Sequence, residues 1–215
     1  MASVKKIVLE KGSGKPGSTV AEAKNGENPV TDLADVLALK KPLTKGQRLQ
    51  RKKMRDLQYF LKPFSAVLKV GFKNQAAGVS PKTKALSVNI PKIFVGSDKK
   101  SMIDMADVQL SEGYAAQLSN LKVVKKDGRL MGLTWDQCDH ILGKYNVLSL
   151  VLYDEDQRKV FYIPNLGPVS RQEAEFLFED FVGLCLHMFV FTVGMLKGVK
   201  NSNSNTQYLG MACVS

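Results

Sequence analysis

The chain has 215 residues and a hydrophobic content of 44%, enough to bury a real core, which excludes disorder throughout and fits one large domain or two small ones. Its formal net charge of +11 is one-sided: residues 1–100 carry 21 Lys/Arg against 7 Asp/Glu, and residues 101–215 carry 10 against 13. A cationic front half of this kind attracts nucleic acid, an anionic membrane surface or an acidic protein.

The first ten residues place Lys5 and Lys6 before only Ile7, Val8 and Leu9, too short an apolar run for a secretory signal, so synthesis in the cytoplasm is expected. Gly12, Gly14 and Gly17 satisfy G-x-G-x-x-G, but Pro16 removes a phosphate-facing amide and Asn25-Gly26 and Asn28-Pro29 stop any following helix. Lys15 is followed by Pro16 where a Walker A motif needs Ser or Thr, so no nucleotide cofactor is expected. Residues 1–42 read as an extended arm, with one or two helical turns offered by Val30 to Leu39.

A basic helical region is predicted over 43–100. Thr44 is placed to cap a long helix whose apolar stripe runs through Leu49, Met54, Leu57, Phe60, Leu61, Phe64 and Leu68. Lys45, Arg48, Arg51, Lys52, Lys53 and Arg55 cover the remainder of its first turns. Pro63 must kink or divide this helix, and Gly71 marks its end. Ser80 and Pro81 open a second helix that runs through Ala85 and Leu86 towards Asn89, ahead of Pro91.

Beyond residue 100 the period shortens, and 101–215 reads as a β domain. Strands are predicted at Val108 to Leu110, Leu121 to Val124, Leu130 to Trp135, Val147 to Tyr153, Lys159 to Ile163, Phe189 to Val193 and Gln207 to Val214. Asp127-Gly128 signals a hairpin and Asp154-Glu155-Asp156 an exposed turn. Glu173 to Phe181 is predicted as a crossing helix. The apolar run Phe181 to Leu196 falls short of a membrane span and reads as one or two buried strands. The fold class is therefore α+β: an extended arm and basic helices followed by an immunoglobulin-like antiparallel β-sandwich.

Cys138, Cys185 and Cys213 are too few and too scattered for a disulfide framework, which points to a reducing compartment. Cys138 with His140, and Cys185 with His187, have a strand-face spacing that two such pairs could use to complete a tetrahedral metal site. That spacing matches no common zinc pattern, and the expectation is two unrelated pairs and no metal. Neither histidine has a convincing nucleophile environment for a Ser-His-Asp or Cys-His arrangement, and the acidic residues read as turns or solvated faces, so no catalytic activity is expected.

Phe60-Leu61-Lys62-Pro63, Gly71-Phe72-Lys73, Asn89, Ile103-Asp104, Leu110-Ser111-Glu112-Gly113, Leu133-Thr134-Trp135, Val151-Leu152-Tyr153, Ser202-Asn203-Ser204 and Gln207-Tyr208-Leu209-Gly210 resemble, in this order, a family of uncharacterised proteins from Bacteroidota. The resemblance covers about residues 44–211, and Gly14-Lys15-Pro16-Gly17 is similar to the family's Gly-Lys-Val-Gly. It implies a helical front and a β-sandwich rear, and it brings no activity. Residues 18–42 depart from it, lacking the aromatic and Arg-containing segment of the family.

The expected function is that of a structural or adaptor subunit of a larger, oligomeric protein assembly, with a phage-type particle as one setting. The alternative is a nucleic-acid-binding protein in which Lys45, Arg48, Arg51, Lys52, Lys53 and Arg55 contact phosphates along 44–62. A peripheral membrane protein is a third reading.

Overall fold

In the structure, a computed structural model, residues 19–21, 30–32, 42–73, 78–95, 102–125, 130–137, 145–177, 181, 183–194 and 202–213 are described. The chain divides into two compact units, Met1–Arg48 and Leu49–Ser215. In the first, strands β1 (Thr19–Ala21) and β2 (Val30–Asp32) pair antiparallel, Thr19 opposite Asp32. This hairpin stands where an arm and a helical pattern beginning at Val30 are expected; the glycine-rich segment 12–17 lies outside the described residues.

Helix α1 (Lys45–Phe60) starts as its sequence dictates. The Thr44 hydroxyl accepts from the Gln47 amide at 3.2 Å, and the Gln47 side chain accepts from the Thr44 amide at 3.0 Å. This reciprocal box satisfies two orphan donors at once. Pro63 divides the helix, and α2 (Ser65–Gly71) follows after a tightened turn. Helix α3 (Pro81–Asn89) has the Ser80 cap, which accepts from the Thr83 amide at 3.1 Å, and Pro81 at its first position. No helix among the described residues is long and apolar enough to cross a membrane.

Strands β3 (Phe94–Val95) and β4 (Met102–Ile103) form a short antiparallel pair. They are followed by β5 (Lys122–Lys125), β6 (Leu130–Thr134), β7 (Val147–Asp154), β8 (Lys159–Pro168), β9 (Glu173–Leu177), β10 (Cys185–Val193) and β11 (Gln207–Cys213). One antiparallel sheet has the order β11-β10-β7-β8 and another β5-β6-β9, which places the protein in the α+β class. The Asp127-Gly128 turn lies outside the described residues.

Strands β7 and β10 are buried on both faces, which explains their near-continuous apolar sequences. Side chains alternate across them. Val151, Tyr153, Phe189 and Phe191 pack with Leu57, Phe60, Phe64, Leu68 and Ile93 from the helical segment. Leu150, Leu152, Met188 and Val190 pack on the other side with Leu133 and Phe176 of the three-stranded sheet. Each such side chain contributes about 1.5–3 kcal/mol by leaving water.

Two predicted elements are corrected. The helix predicted over Glu173 to Phe181 does not form at Glu173–Leu177, which is strand β9: Ala174 and Phe176 point inward and Glu173 and Leu177 outward, an alternation of period two that pairing with β6 exploits. Val108 to Leu110 forms no strand. The Gln109 backbone is held at both ends by the buried Asn89 amide, which donates to its carbonyl at 2.8 Å and accepts from its amide at 2.7 Å, while the Leu110 amide donates to the Thr206 hydroxyl at 2.8 Å. These backbone groups are satisfied by side chains and leave no ladder to join. Asp154, placed in an exposed turn by the sequence, ends β7 and is buried, accepting from the Gln157 amide at 3.1 Å.

The segment Ser202–Thr206 is a buried polar fastening. Asn203 donates to the Val70 and Gly71 carbonyls at 2.9 and 3.2 Å and accepts from the Gly194 amide at 3.1 Å. Ser204 accepts from the Thr192 amide at 2.9 Å, and Ser111 donates to the Ser204 carbonyl at 2.8 Å. Thr206 receives the amides of Leu110 and Ser111. The segment thereby ties the end of α2 to β10 and to the loop at 110–115. Gly71 is required here because a Cβ would collide with the Leu110 carbonyl.

Candidate binding surface

The six basic residues singled out on α1 have different fates. Lys45 and Arg48 stand exposed on the first turn, in the first unit, and Arg48 Nε donates to the Leu43 carbonyl at 3.1 Å. In the second unit Arg51 and Arg55 are exposed, four residues apart on one helix face. Lys52 and Lys53 are half-buried, and the Lys53 ammonium lies 5.4 Å from the centre of the Phe94 ring, where its charge meets the aromatic face. Arg55 reaches Asp56 only at 3.9 Å and in solvent, which contributes little.

One turn beyond α1 the cationic surface meets an apolar groove of about 450 Å³ beside α2 and the start of α3. Leu61, Leu68 and Pro81 line it, and Lys62, Lys69 and Lys82 stand around it. Leu61 and Leu68 are also core residues, so the groove is held rigidly from beneath. None of these three lysines has a carboxylate within 4.0 Å among the described residues, whereas Lys84 nearby meets Glu112 at 2.8 Å.

A second cavity, of about 390 Å³, lies where α1 faces the β7–β8 turn. The Arg158 guanidinium sits 3.5 Å from the centre of the Tyr59 ring. Burial pushes the Tyr153 phenol upward, and the hydrogen bond from Arg158 partly offsets this. His187 Nδ1 lies 2.8 Å from the Tyr208 hydroxyl, and its Nε2 lies 3.4 Å from a Glu155 carboxylate oxygen. Carboxylate, imidazole and phenol are thus in series, but the Tyr208 phenol is raised by burial and by Asp104 and Glu155. A raised phenol is held more firmly protonated and makes a poorer nucleophile or base at neutral pH. The chain of contacts ties the turn at 155–158 to β11.

The cysteines depart from the expectation of free thiols. Cys185 and Cys213 face each other across the β10–β11 ladder and are joined in a disulfide. Cys185 therefore has no thiolate to offer a metal beside His187. Cys138 and His140 lie outside the described residues, and these contain no cluster of three or more His, Cys, Asp or Glu side chains suited to a metal ion.

A family model described as "Family of unknown function (DUF6266)" matches residues 13–210. The chain belongs to that family. The DUF6266 match contains the resemblance read over 44–211 almost entirely and reaches further towards the N-terminus. No match was found among curated proteins. Several residues that carried the resemblance in sequence have a structural duty: Asn89 holds Gln109, Trp135 donates to the Val169 carbonyl at 2.8 Å, and Ser202-Asn203-Ser204 is the polar fastening. The sequence reading missed Lys82 and the groove, which arise from packing α2 against α3. It also missed the Glu155–His187–Tyr208 series, whose members are brought together only by strand register.

Proposed function

We propose that the protein is a non-enzymatic structural or adaptor subunit that docks an acidic partner protein on the cationic surface of its helical segment. The observation that carries this is the set Arg51, Arg55, Lys62, Lys69 and Lys82, for which the described residues offer no carboxylate within 4.0 Å apart from Asp56 beside Arg55. Like charges four apart on a helix repel at a cost of a few tenths of a kcal/mol per pair, and an anionic partner relieves that cost. A rigid body of three- and four-stranded antiparallel sheets around a shared core supports the immunoglobulin-like comparison and suits a building unit of an oligomeric particle, phage-type assemblies included.

Nucleic acid is the second reading. It is less favoured because the exposed aromatic on α1, Tyr59, already has Arg158 over its ring, where a base would stack. Fluorescence anisotropy with polyglutamate and with oligothymidylate over a salt series separates the two. Polyglutamate binding that weakens with salt and is lost in Arg51→Glu/Arg55→Glu is the expected result. Tighter oligothymidylate binding with a steeper salt slope transfers the function to nucleic acid, and binding of neither polyanion refutes both readings.

A further inference from the structure

We infer that the groove between α2 and α3 receives a bulky apolar side chain carried on an acidic peptide segment of the partner protein. The inference rests on the adaptor reading above and adds to it the chemistry that the partner must display. Three features of the groove point the same way.

Leu61 and Leu68 lie buried beneath it and Pro81, Ser65 and Ser80 line its sides, giving a mainly apolar hollow of about 450 Å³ that exceeds what one Leu or Phe side chain needs. Lys62, Lys69 and Lys82 line it, and no carboxylate does so among the described residues. Lys82 stands in the first turn of α3, whose peptide dipoles already present positive charge and which has no acidic residue in that turn. Glu112 meets Lys84 in that turn, and an anion in the groove would meet Lys82.

Shape selects among anionic partners. The apolar surface is concave, so it fits an apolar group that protrudes from a partner; a membrane is bound by protruding apolar side chains that enter the lipid. Among the described residues no aromatic ring lines the groove, so these offer a nucleobase no stacking there. An acidic peptide with leucine or phenylalanine between its carboxylates satisfies floor and rim together.

The test uses the full chain and a fluorescein-labelled synthetic peptide of alternating acidic residues with two central leucines. A companion peptide has serines in place of the leucines, and sodium laurate and phosphatidylserine vesicles are the competing probes. The leucine peptide is expected to bind about tenfold tighter or more, the worth of one buried apolar side chain. Ser65→Trp, an exposed substitution at the groove wall, is expected to abolish that difference while leaving the far-UV spectrum unchanged. Lys69→Glu/Lys82→Glu, also on exposed positions, is expected to weaken both peptides.

Equal affinity for the two peptides overturns the groove proposal and leaves the cationic adaptor reading standing. Displacement of the leucine peptide by laurate, with no binding of the serine peptide, assigns the groove to a small anionic amphiphile and overturns it too. Sedimentation with the vesicles that Ser65→Trp abolishes gives the surface to a membrane. Binding of neither peptide removes the adaptor reading itself.

Discussion

Asn203→Ala tests whether the polar fastening holds the fold. The residue is buried, and alanine removes three hydrogen bonds: two donated to the Val70 and Gly71 carbonyls and one accepted from the Gly194 amide. The Gly71 carbonyl retains the Ser111 hydroxyl at 3.2 Å and the Glu112 amide at 3.3 Å, so it is not orphaned. The cost falls on the part-buried Gly194 N–H, which loses its partner at up to about 1–3 kcal/mol, and on the Val70 carbonyl, which loses a bond worth about 1 kcal/mol, for a total of up to about 2–4 kcal/mol. Urea unfolding is expected to show a lower midpoint with an unchanged slope. Asn203→Asp, of the same shape, is expected to cost at least as much, because it sets an acceptor against two carbonyls. A loss below about 1 kcal/mol in the alanine variant, or an aspartate variant as stable as the parent, refutes the reasoning.

Gly71→Ala drives a methyl group into the Leu110 backbone and is expected to cost about 1–3 kcal/mol or more; wild-type thermal stability refutes the close approach. The Cys185–Cys213 bond spans 28 residues, for which loop closure in the unfolded chain gives about 3–4 kcal/mol, so Cys185→Ser/Cys213→Ser is expected to lower the unfolding free energy by up to that amount. In the unreduced, denatured protein, thiol labelling is expected at Cys138 alone; labelling of all three cysteines refutes the pairing. Tyr153 and Tyr208 have raised folded-state pKa values, so their contribution is complete below the ordinary phenol value near 10 and is lost as pH rises through the folded values. Stability followed against pH is expected to fall more gently above that point in Tyr153→Phe; an identical alkaline slope refutes the assignment.

The helical front was the most legible part of the chain, because local chemistry decides it. The Thr44 cap, the Pro63 break, the Gly71 end and the Ser80-Pro81 start all depend on neighbours a few residues away. The failures are non-local. Glu173 to Phe181 has residues that suit a helix, but the β6 edge was already waiting for a strand of period two. Val108 to Leu110 has the composition of a strand, yet Asn89 and Thr206, distant in sequence, take its backbone groups. The disulfide was invisible for the same reason: only the antiparallel register places Cys213 opposite Cys185.

That division also separates fold from binding. The interactions that hold the second unit together lie in apolar layers on both faces of β7 and β10 and in the buried segment 202–206, none of which uses an α1 or groove-rim cation. Exposed Arg51 and Arg55 instead repel each other along α1, so Arg51→Glu converts a like-charge pair into an opposite one and should leave stability equal or slightly higher. A side chain whose replacement by its opposite charge helps the helix is not there for the helix. If the same substitution removes polyanion binding, the positive charge at that position is explained by a partner and not by a contact among the described residues.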